Sequence, residues 1–338
     1  MRYINANQAA VMTDVSIIIV SWNTREILHN CLKSIYEQTR AIRFEVILVD
    51  NASTDSSQEM VRLEFPQVTI IANNVNRGFA GANNQGIAIA NGRYVLLLNP
   101  DTVVLDDAIA KTVAFADLHH DVAVVGCKVL NPDGSLQRSC FMFHSLLNMF
   151  LAVTYLYKLF PKNRFFGRQE MTWWDYEDVR EVDTINGCFM LIRREAIENV
   201  GTMDERFFMY GEETDWCYRF KKAGWKIMFS PEGEIIHLGG QSTAQRAGEM
   251  VIQLRLSILQ FIGKHYSRLT FYMACLLTVI FFAVRLPVWC FIGLINSSKR
   301  KRSFTQCKAY WHGMRKVLFN SQQLRQPHRH NYSTKGIT

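Results

Sequence analysis

No acidic residue follows Glu249, although residues 250–338 hold 14 lysines and arginines. Upstream the balance is 24 basic against 30 acidic residues, so the net charge of +8 belongs to the C-terminal end. A basic, acid-free end beside apolar sequence points to anionic phospholipid; nucleic acid is the weaker alternative and is not adopted as a partner. The eight cysteines form no C-x-x-C pair, and several sit inside apolar runs. That argues against a zinc or disulfide framework and for a reducing compartment. No G-x-x-x-x-G-K-S/T loop occurs and no G-x-G-x-x-G follows the first apolar run, which excludes P-loop phosphoryl transfer and a dinucleotide fold. The first apolar run, Val15–Val20, is too short for a signal peptide and leads into Trp22-Asn23, so the catalytic part is expected in the cytoplasm.

What is present begins with Tyr94–Thr102, read Y-V-L-L-L-N-P-D-T. Five apolar residues running into Asn99, Pro100 and Asp101 read as a strand buried on both faces that delivers polar groups at its carboxyl end, where ligands gather in open α/β sheets. Val15–Val20, Phe44–Val49 and Val68–Ala72 repeat the strand pattern. Helical spacing follows at Ile27–Ile35 behind a Thr24 cap, at Met60–Leu63 and up to about Ala90. The alternation predicts an α/β fold with a doubly wound, mostly parallel sheet. Further on, Ile109–Phe115 reads as a helix, Val122–Leu130 as a strand and Asn131-Pro132-Asp133-Gly134 as a turn. Phe141–Phe160 fits an amphipathic surface helix or a core helix equally. Glu181–Arg193 reads as one strand, Glu213–Ala223 as a helix ended by Gly224, and Trp225–Phe229 as a closing strand.

The division expected is a catalytic domain over 1–248, with halves of about 14–135 and 136–243, then apolar membrane-associated helices over 249–298 and a basic tail over 299–338. Residues 269–295 are almost continuously apolar, broken by Arg285 and Pro287. The uncharged stretch Leu269–Val284 falls short of the roughly 20 residues of a spanning helix. An arginine near the middle of a span is costly, and Lys264, Arg268 and Lys299–Arg302 place basic residues at both ends. A bent, interfacial or re-entrant anchor is therefore preferred to a single crossing.

Polar constellations fall at strand ends and loops: Asp50 with Asn51, the Arg77–Gly86 loop, Asn99 with Asp101, and Glu212-Glu213-Thr214-Asp215, with His237 later. Asp50-Asn51 also fits a turn and helix cap, and the acidic cluster fits a first helical turn complementing the macrodipole. A diphosphate without a P-loop can still be held by a divalent cation, Mg²⁺ or Mn²⁺, bound through one or two side chains plus phosphate oxygens; Asp101 is the principal candidate ligand.

In this order V-S-I-I-I-V-S-W-N, V-D-N-A-S-T-D, N-R-G-F-A-G-A-N-N-Q-G, L-L-L-N-P-D-T, N-G-C-F-M, F-F-M-Y-G-E-E-T-D-W-C-Y-R and H-L-G-G-Q-S-T are highly specific. The chain resembles the family-two inverting glycosyltransferases of the GT-A fold, nearest to rhamnosyltransferase-like members, over roughly Asp14–Thr243. The resemblance implies that Asp50, with Asn51, Val20 and Ser21, lines the nucleobase pocket. It implies that Arg77, Gly78, Asn84 and Asn99 border the nucleotide and its diphosphate, and that Asp101 holds the metal with His237 approaching it. Glu213 stands where the family usually has an aspartate base, with Glu212 beside it; Asp215 joins this acidic group, orienting the acceptor side or bracing the helix. Asn99-Pro100-Asp101 replaces the D-x-D of many members, so one carboxylate is missing. The implied reaction moves L-rhamnose from dTDP-rhamnose, or another sugar from a UDP-sugar, onto a lipid-linked or growing cell-surface polysaccharide. Its implied place is the cytoplasmic face of the inner membrane, anchored through 269–295. Inverting transfer needs one carboxylate base and one cation. A non-catalytic basic membrane-binding protein is the other class considered. A nucleotidyltransferase is disfavoured, because Ser21-Trp22-Asn23-Thr24 is no Gly-rich, Arg-containing loop.

Overall fold

A computed structural model of the protein describes residues 13–239 and 247–325. The Gly240–Thr243 end of the last motif, residues 1–12 and the basic residues 326–338 lie outside them.

Val15–Ser21 (β1), Arg25–Gln38 (α1), Phe44–Asp50 (β2), Ser57–Glu64 (α2), Thr69–Ala72 (β3), Gly78–Ile89 (α3) and Tyr94–Leu98 (β4) alternate as the pattern predicts. Next come Thr102–Val104 (β5), Ala108–Leu118 (α4), Val122–Leu130 (β6), Leu136–Gln137 (β7), Cys140–Phe141 (β8), Leu146–Thr154 (α5) and Leu156–Leu159 (α6). Arg180–Glu181 (β9), Thr184–Ile185 (β10), Phe189–Arg193 (β11), Arg194–Val200 (α7), Glu212–Lys222 (α8) and Lys226–His237 (β12) complete the sheet-bearing part. Ala247–His265 (α9), Arg268–Ile295 (α10) and Arg300–Arg325 (α11, kinked at Asn320) follow.

The main sheet runs β3-β2-β1-β4-β11-β6-β12-β5, with β7 on β6 and β9 on β12. β1 pairs in parallel with both β2 and β4, whereas β11 is antiparallel to its neighbours. The order therefore reverses beside β1, which opens a crevice at the carboxyl ends of β1, β2 and β4. β4 is central because its side chains have a core on each side. Tyr94, Leu96 and Leu98 join one cluster, and Val95 and Leu97 the other. Burying each such aliphatic side chain stabilises the fold by about 1.5–3 kcal/mol.

Several elements differ from the sequence expectation. Thr24 does not cap α1 with its hydroxyl, which meets Ser21 Oγ at 2.9 Å; Asp55 Oδ2 accepts from Arg25 N at 2.8 Å instead. Leu63 points to solvent, and Met60 and Val61 carry the buried face of α2. The Arg77–Gly86 segment is the start of α3 and not a loop. Glu181–Arg193 is split into β9, β10 and β11, because Asp183 and Asn186 make turn contacts, with Phe143 N to Asp183 Oδ2 at 3.0 Å and Asn186 N to Ser139 O at 2.7 Å. The closing strand does not stop at Phe229. It passes Pro231 through a register shift between Phe229 and Glu234 and continues to His237; a bulge tolerates the missing proline N–H.

The C-terminal helices share a third core with α5, in which Met149, Val153 and Phe207 meet Leu259, Phe271, Phe282 and Tyr310. α5 is thus a core helix on its buried side. α10 is one continuous helix where a break at Arg285 and Pro287 was expected. Pro287 lies on its exposed side, and Arg285 turns inward, donating to Phe281 O at 3.1 Å and Ala152 O at 2.9 Å. Residues 300–325, expected as a tail, form α11, which folds back along α10. All eight cysteines are free thiols.

Candidate active site

The pairing of β1 with β2 sets Ser21 beside Asp50, and the pairing of β1 with β4 brings Asn99 to the same carboxyl edge. Asp50 is fully buried. Its Oδ2 accepts from Ser53 N at 3.0 Å and Gln58 Nε2 at 2.7 Å, while its buried Oδ1 has no partner. A buried acceptor left unmade costs free energy, and a donor reaching this oxygen would relieve that cost. Asn51 ties the same strand edge together: its N donates to Ser21 O at 2.8 Å, its Nδ2 to Gly78 O at 3.2 Å, and its Oδ1 accepts from Asn73 Nδ2 at 3.1 Å. Val20 is half-buried against this core.

Arg77 lies exposed at the N-cap of α3, where its cation suits an anion; the first N–H groups of the helix are already spent, Gly78 N on Asn76 Oδ1 at 2.9 Å and Phe79 N on Phe208 O. Gly78 holds φ +72°, and a Cβ there would sit 2.7 Å from Phe208 O; only glycine permits the close approach that Phe79 N makes to that carbonyl at 3.2 Å. Asn84, expected beside the nucleotide, is committed elsewhere. Its Nδ2 donates to Met203 O and Glu205 Oε1, both at 3.0 Å, and its Oδ1 accepts from Met203 N at 3.0 Å. Its amide ties the 203–205 segment to α3.

Asp101 and His237 meet across 136 residues of sequence because β12 pairs antiparallel with β5, setting His237 opposite Thr102. His237 Nε2 lies 3.2 Å from Asp101 Oδ1 and 3.3 Å from Asn99 Nδ2. The other ring nitrogen, Nδ1, donates to Gln137 Oε1 at 2.6 Å. Gln137 has no freedom to turn over, since its Nε2 donates to Asn131 Oδ1 at 2.8 Å and to His237 O at 3.1 Å. In the neutral tautomer that Gln137 selects, the Nε2 lone pair faces the Asp101 carboxylate, an arrangement in which an orienting partner fixes a ligating imidazole. A carboxylate and an imidazole aimed at one point fit a Mg²⁺ or Mn²⁺ ion. No cluster of three or more metal-ligating side chains occurs among the described residues, so further ligands must come from a bound molecule or water. Gln137 carried no motif, and only the β6–β7 hairpin brings it here.

Glu212 and Glu213 open α8 after Gly211, which adopts φ +105°. Glu212 is 3% exposed, and its Oε2 is buried without a partner. Burial, and then the neighbouring Glu213 carboxylate, push its carboxyl well above the usual range. Glu213 is half-buried, accepts from Gly211 N at 3.2 Å, and is itself raised by burial. Cys188, whose carbonyl accepts from Asn99 N at 3.0 Å, has its thiol pushed up to about 12 by burial first, with Asp101 and Glu213 adding to it.

Asp215 is 0% exposed. Its Oδ1 takes Lys264 Nζ and His265 Nε2, both at 2.6 Å, and its Oδ2 takes Arg219 Nε at 2.9 Å. Burial alone would raise this carboxyl, but His265, Lys264 and Arg219 outweigh it and hold it below the usual value. Asp215 thus has no face open to a reactant and braces α8 against α9. Lys264 extends the brace to Asp204 Oδ2 at 2.7 Å, and Ser257 Oγ donates to Met209 O at 3.0 Å. Lys264, expected as a membrane-flanking charge, is an internal tie. Trp216 is core, with its Nε1 donating to Gly201 O at 2.8 Å.

Comparison with known proteins gives consistent results. The sequence model described as Glycosyl transferase family 2 matches residues 16–201, more than half of the chain. An N-acetylglucosaminyl-diphospho-decaprenol L-rhamnosyltransferase of Mycobacterium tuberculosis is 27% identical over 270 residues, covering 76% of this chain and 86% of its own. A low-salt glycan biosynthesis hexosyltransferase of Haloferax volcanii is 25% identical over 237 residues, covering 65% of this chain and 66% of its own. A mannosyltransferase of Pyrobaculum calidifontis, solved with GDP-Man and Mn²⁺, superposes with a TM-score of 0.55 at 17% identity, covering 92% of this chain and 88% of its own. The fold class expected from the sequence, GT-A, is the one observed.

Proposed function

Because the chain belongs to glycosyl transferase family 2, we propose that it is an inverting transferase of L-rhamnose from dTDP-rhamnose to a lipid-linked or growing cell-surface polysaccharide. The observation that carries the donor reading is the buried, unpartnered Oδ1 of Asp50 at the carboxyl edge of the sheet. Thymine and uracil both present an N3–H that satisfies it, and a UDP-sugar is the alternative donor. The sugar and the lipid-linked acceptor rest on the 27% identical relative whose name carries both.

In this reading Asp50 accepts from the base, and the exposed Arg77 guanidinium receives the diphosphate. Asp101 and His237 hold a divalent cation, Mg²⁺ or Mn²⁺; Mn²⁺ accompanies the mannosyltransferase neighbour. Such an ion neutralises charge on a departing nucleoside diphosphate. Glu213 takes the proton of the acceptor hydroxyl, and its raised carboxyl suits a base working near neutral pH. Glu212 is buried and favours its protonated form, so it shapes the site without exchanging protons with acceptor. No protein nucleophile is needed, because the acceptor oxygen displaces the diphosphate directly at the anomeric carbon with inversion. A place at the cytoplasmic face of the inner membrane is part of this reading, and the long apolar helix α10 supports its membrane part.

The test is a panel of dTDP-rhamnose, UDP-glucose and GDP-mannose with Mg²⁺ or Mn²⁺, read by thermal stabilisation and donor hydrolysis. Response to dTDP-rhamnose is expected, and response to GDP-mannose alone overturns the donor reading. Glu213→Gln should keep donor stabilisation and lose roughly 10²–10⁴-fold in transfer. Loss in Glu212→Gln with retention in Glu213→Gln moves the base by one residue.

A further inference from the structure

α10 has its polarity turned the wrong way for a helix facing water. From Leu269 to Ile295 its exposed positions, Leu269, Met273, Leu276, Ile280, Val284 and Phe291 among them, recur every three or four residues and include no charge. Its one internal charge, Arg285, is 5% exposed and lies against the protein, its guanidinium 3.5 Å from the Phe281 ring centroid and 4.0 Å from that of Tyr155. Patches of this extent mark a binding surface.

α11 runs antiparallel beside it. A Cβ on Gly293 would meet Ser303 at 3.0 Å, Cys290 Sγ lies 3.2 Å from Cys307 Sγ, and the Phe282 and Tyr310 rings are 5.7 Å apart. On the exposed side of α11, Phe304, Lys308, Trp311, Arg315 and Leu318 succeed one another at helical spacing. Aromatic and cationic side chains in alternation are the composition of a headgroup-level helix. No carboxylate follows Glu249 to neutralise them.

We propose that α10 and α11 form an in-plane docking face for a bilayer surface rich in anionic phospholipid, with α10 seated in the acyl boundary and α11 at the headgroups. This rests on the membrane placement given above and adds its geometry. α10 is about 42 Å long, enough to cross, but a crossing would take Lys308 and Arg315 of its antiparallel partner into hydrocarbon. Lying flat, the hairpin leaves those cations beside phosphates. Charge complementarity selects the anionic bilayer over a second copy of the chain, which would bring like charges together.

Flotation of the purified full chain on phosphatidylcholine vesicles with and without 30% phosphatidylglycerol tests the face. Strong binding to the anionic vesicles is expected. Lys308→Gln/Arg315→Gln/Lys316→Gln should weaken it on the order of 100-fold, at about one cation's worth each. Leu276→Asp/Phe291→Asp, at exposed positions, should abolish it. Thermal stabilisation by donor should persist in all of these, and its loss in wild type would count against the transferase reading alone. In inside-out membrane vesicles from cells making the full chain, Ser267→Cys and Ser297→Cys, at the two ends of α10, should both react with an impermeant maleimide above the wild-type background. Labelling at one end only, undiminished flotation of both variants, or a soluble dimer that the Asp substitutions dissociate and that ignores vesicles would overturn the proposal.

Discussion

Replacing Asp215 by Asn removes one negative charge from a site where Lys264, Arg219 and the His265 ring converge within 2.9 Å and solvent has no access. Truncating one partner of a buried ionic network costs about 3–5 kcal/mol, because the remaining charges stay buried. The lower end applies, since Lys264 keeps Asp204 at 2.7 Å and Arg219 keeps the Val200 and Thr202 carbonyls at 3.0 and 2.7 Å. About 3 kcal/mol corresponds to a fall in melting temperature of roughly 5 °C for a chain of this size. The pH dependence has a definite sign. Asp215 is depressed in the folded state, so its stabilising contribution is complete above the unfolded carboxyl value of about 3.9. It is lost as pH falls through the lower native value. The difference between wild type and Asp215→Asn should therefore be flat from about pH 8 to pH 5 and shrink only below about pH 4. Melting scans across that range measure it, together with transfer rates at a temperature where both proteins are folded. A variant of unchanged stability whose transfer falls 100-fold or more would refute the reasoning and return Asp215 to the reacting groups.

Two other expectations concern the donor. Asp50→Asn replaces half of an acceptor pair with a donor, and affinity for dTDP measured by calorimetry should weaken by roughly 10–100-fold, the value of one buried charge-assisted bond; unchanged affinity would remove Asp50 from base recognition. Asp101→Ala should abolish the extra thermal stabilisation that Mn²⁺ gives in the presence of dTDP, while dTDP alone still binds; persistence of the Mn²⁺ effect would place the ion elsewhere.

Much of the site was legible in the sequence because strand ends advertise themselves. Five apolar residues ending in Asn99-Pro100-Asp101, and the run ending in Asp50, can only be strands that release polar groups at one edge. The choice between Glu212 and Glu213 was not legible, since it depends on the turn of α8 that buries one carboxyl and leaves its neighbour half-open. Nor was the extent of β12 legible: Pro231 looks like an end, and only the parallel partner β6 shows that the strand resumes after a shift.

Periodicity and composition by themselves determined the α/β order, the polar carboxyl edge of the sheet and the segregation of charge to the C-terminal end, because each is a local pattern of apolar spacing or residue count. Tertiary structure alone decided what the long-range pairs do. Antiparallel β5–β12 contact carries His237 to Asp101 and Gln137 fixes its ring. α9 spends Lys264 and His265 on Asp215 and takes that carboxylate out of the chemistry. The α10–α11 hairpin turns Arg285 inward and leaves an apolar face outward. A charge in a sequence has no partner until the chain folds, and the partner sets whether it reacts, ligates or braces.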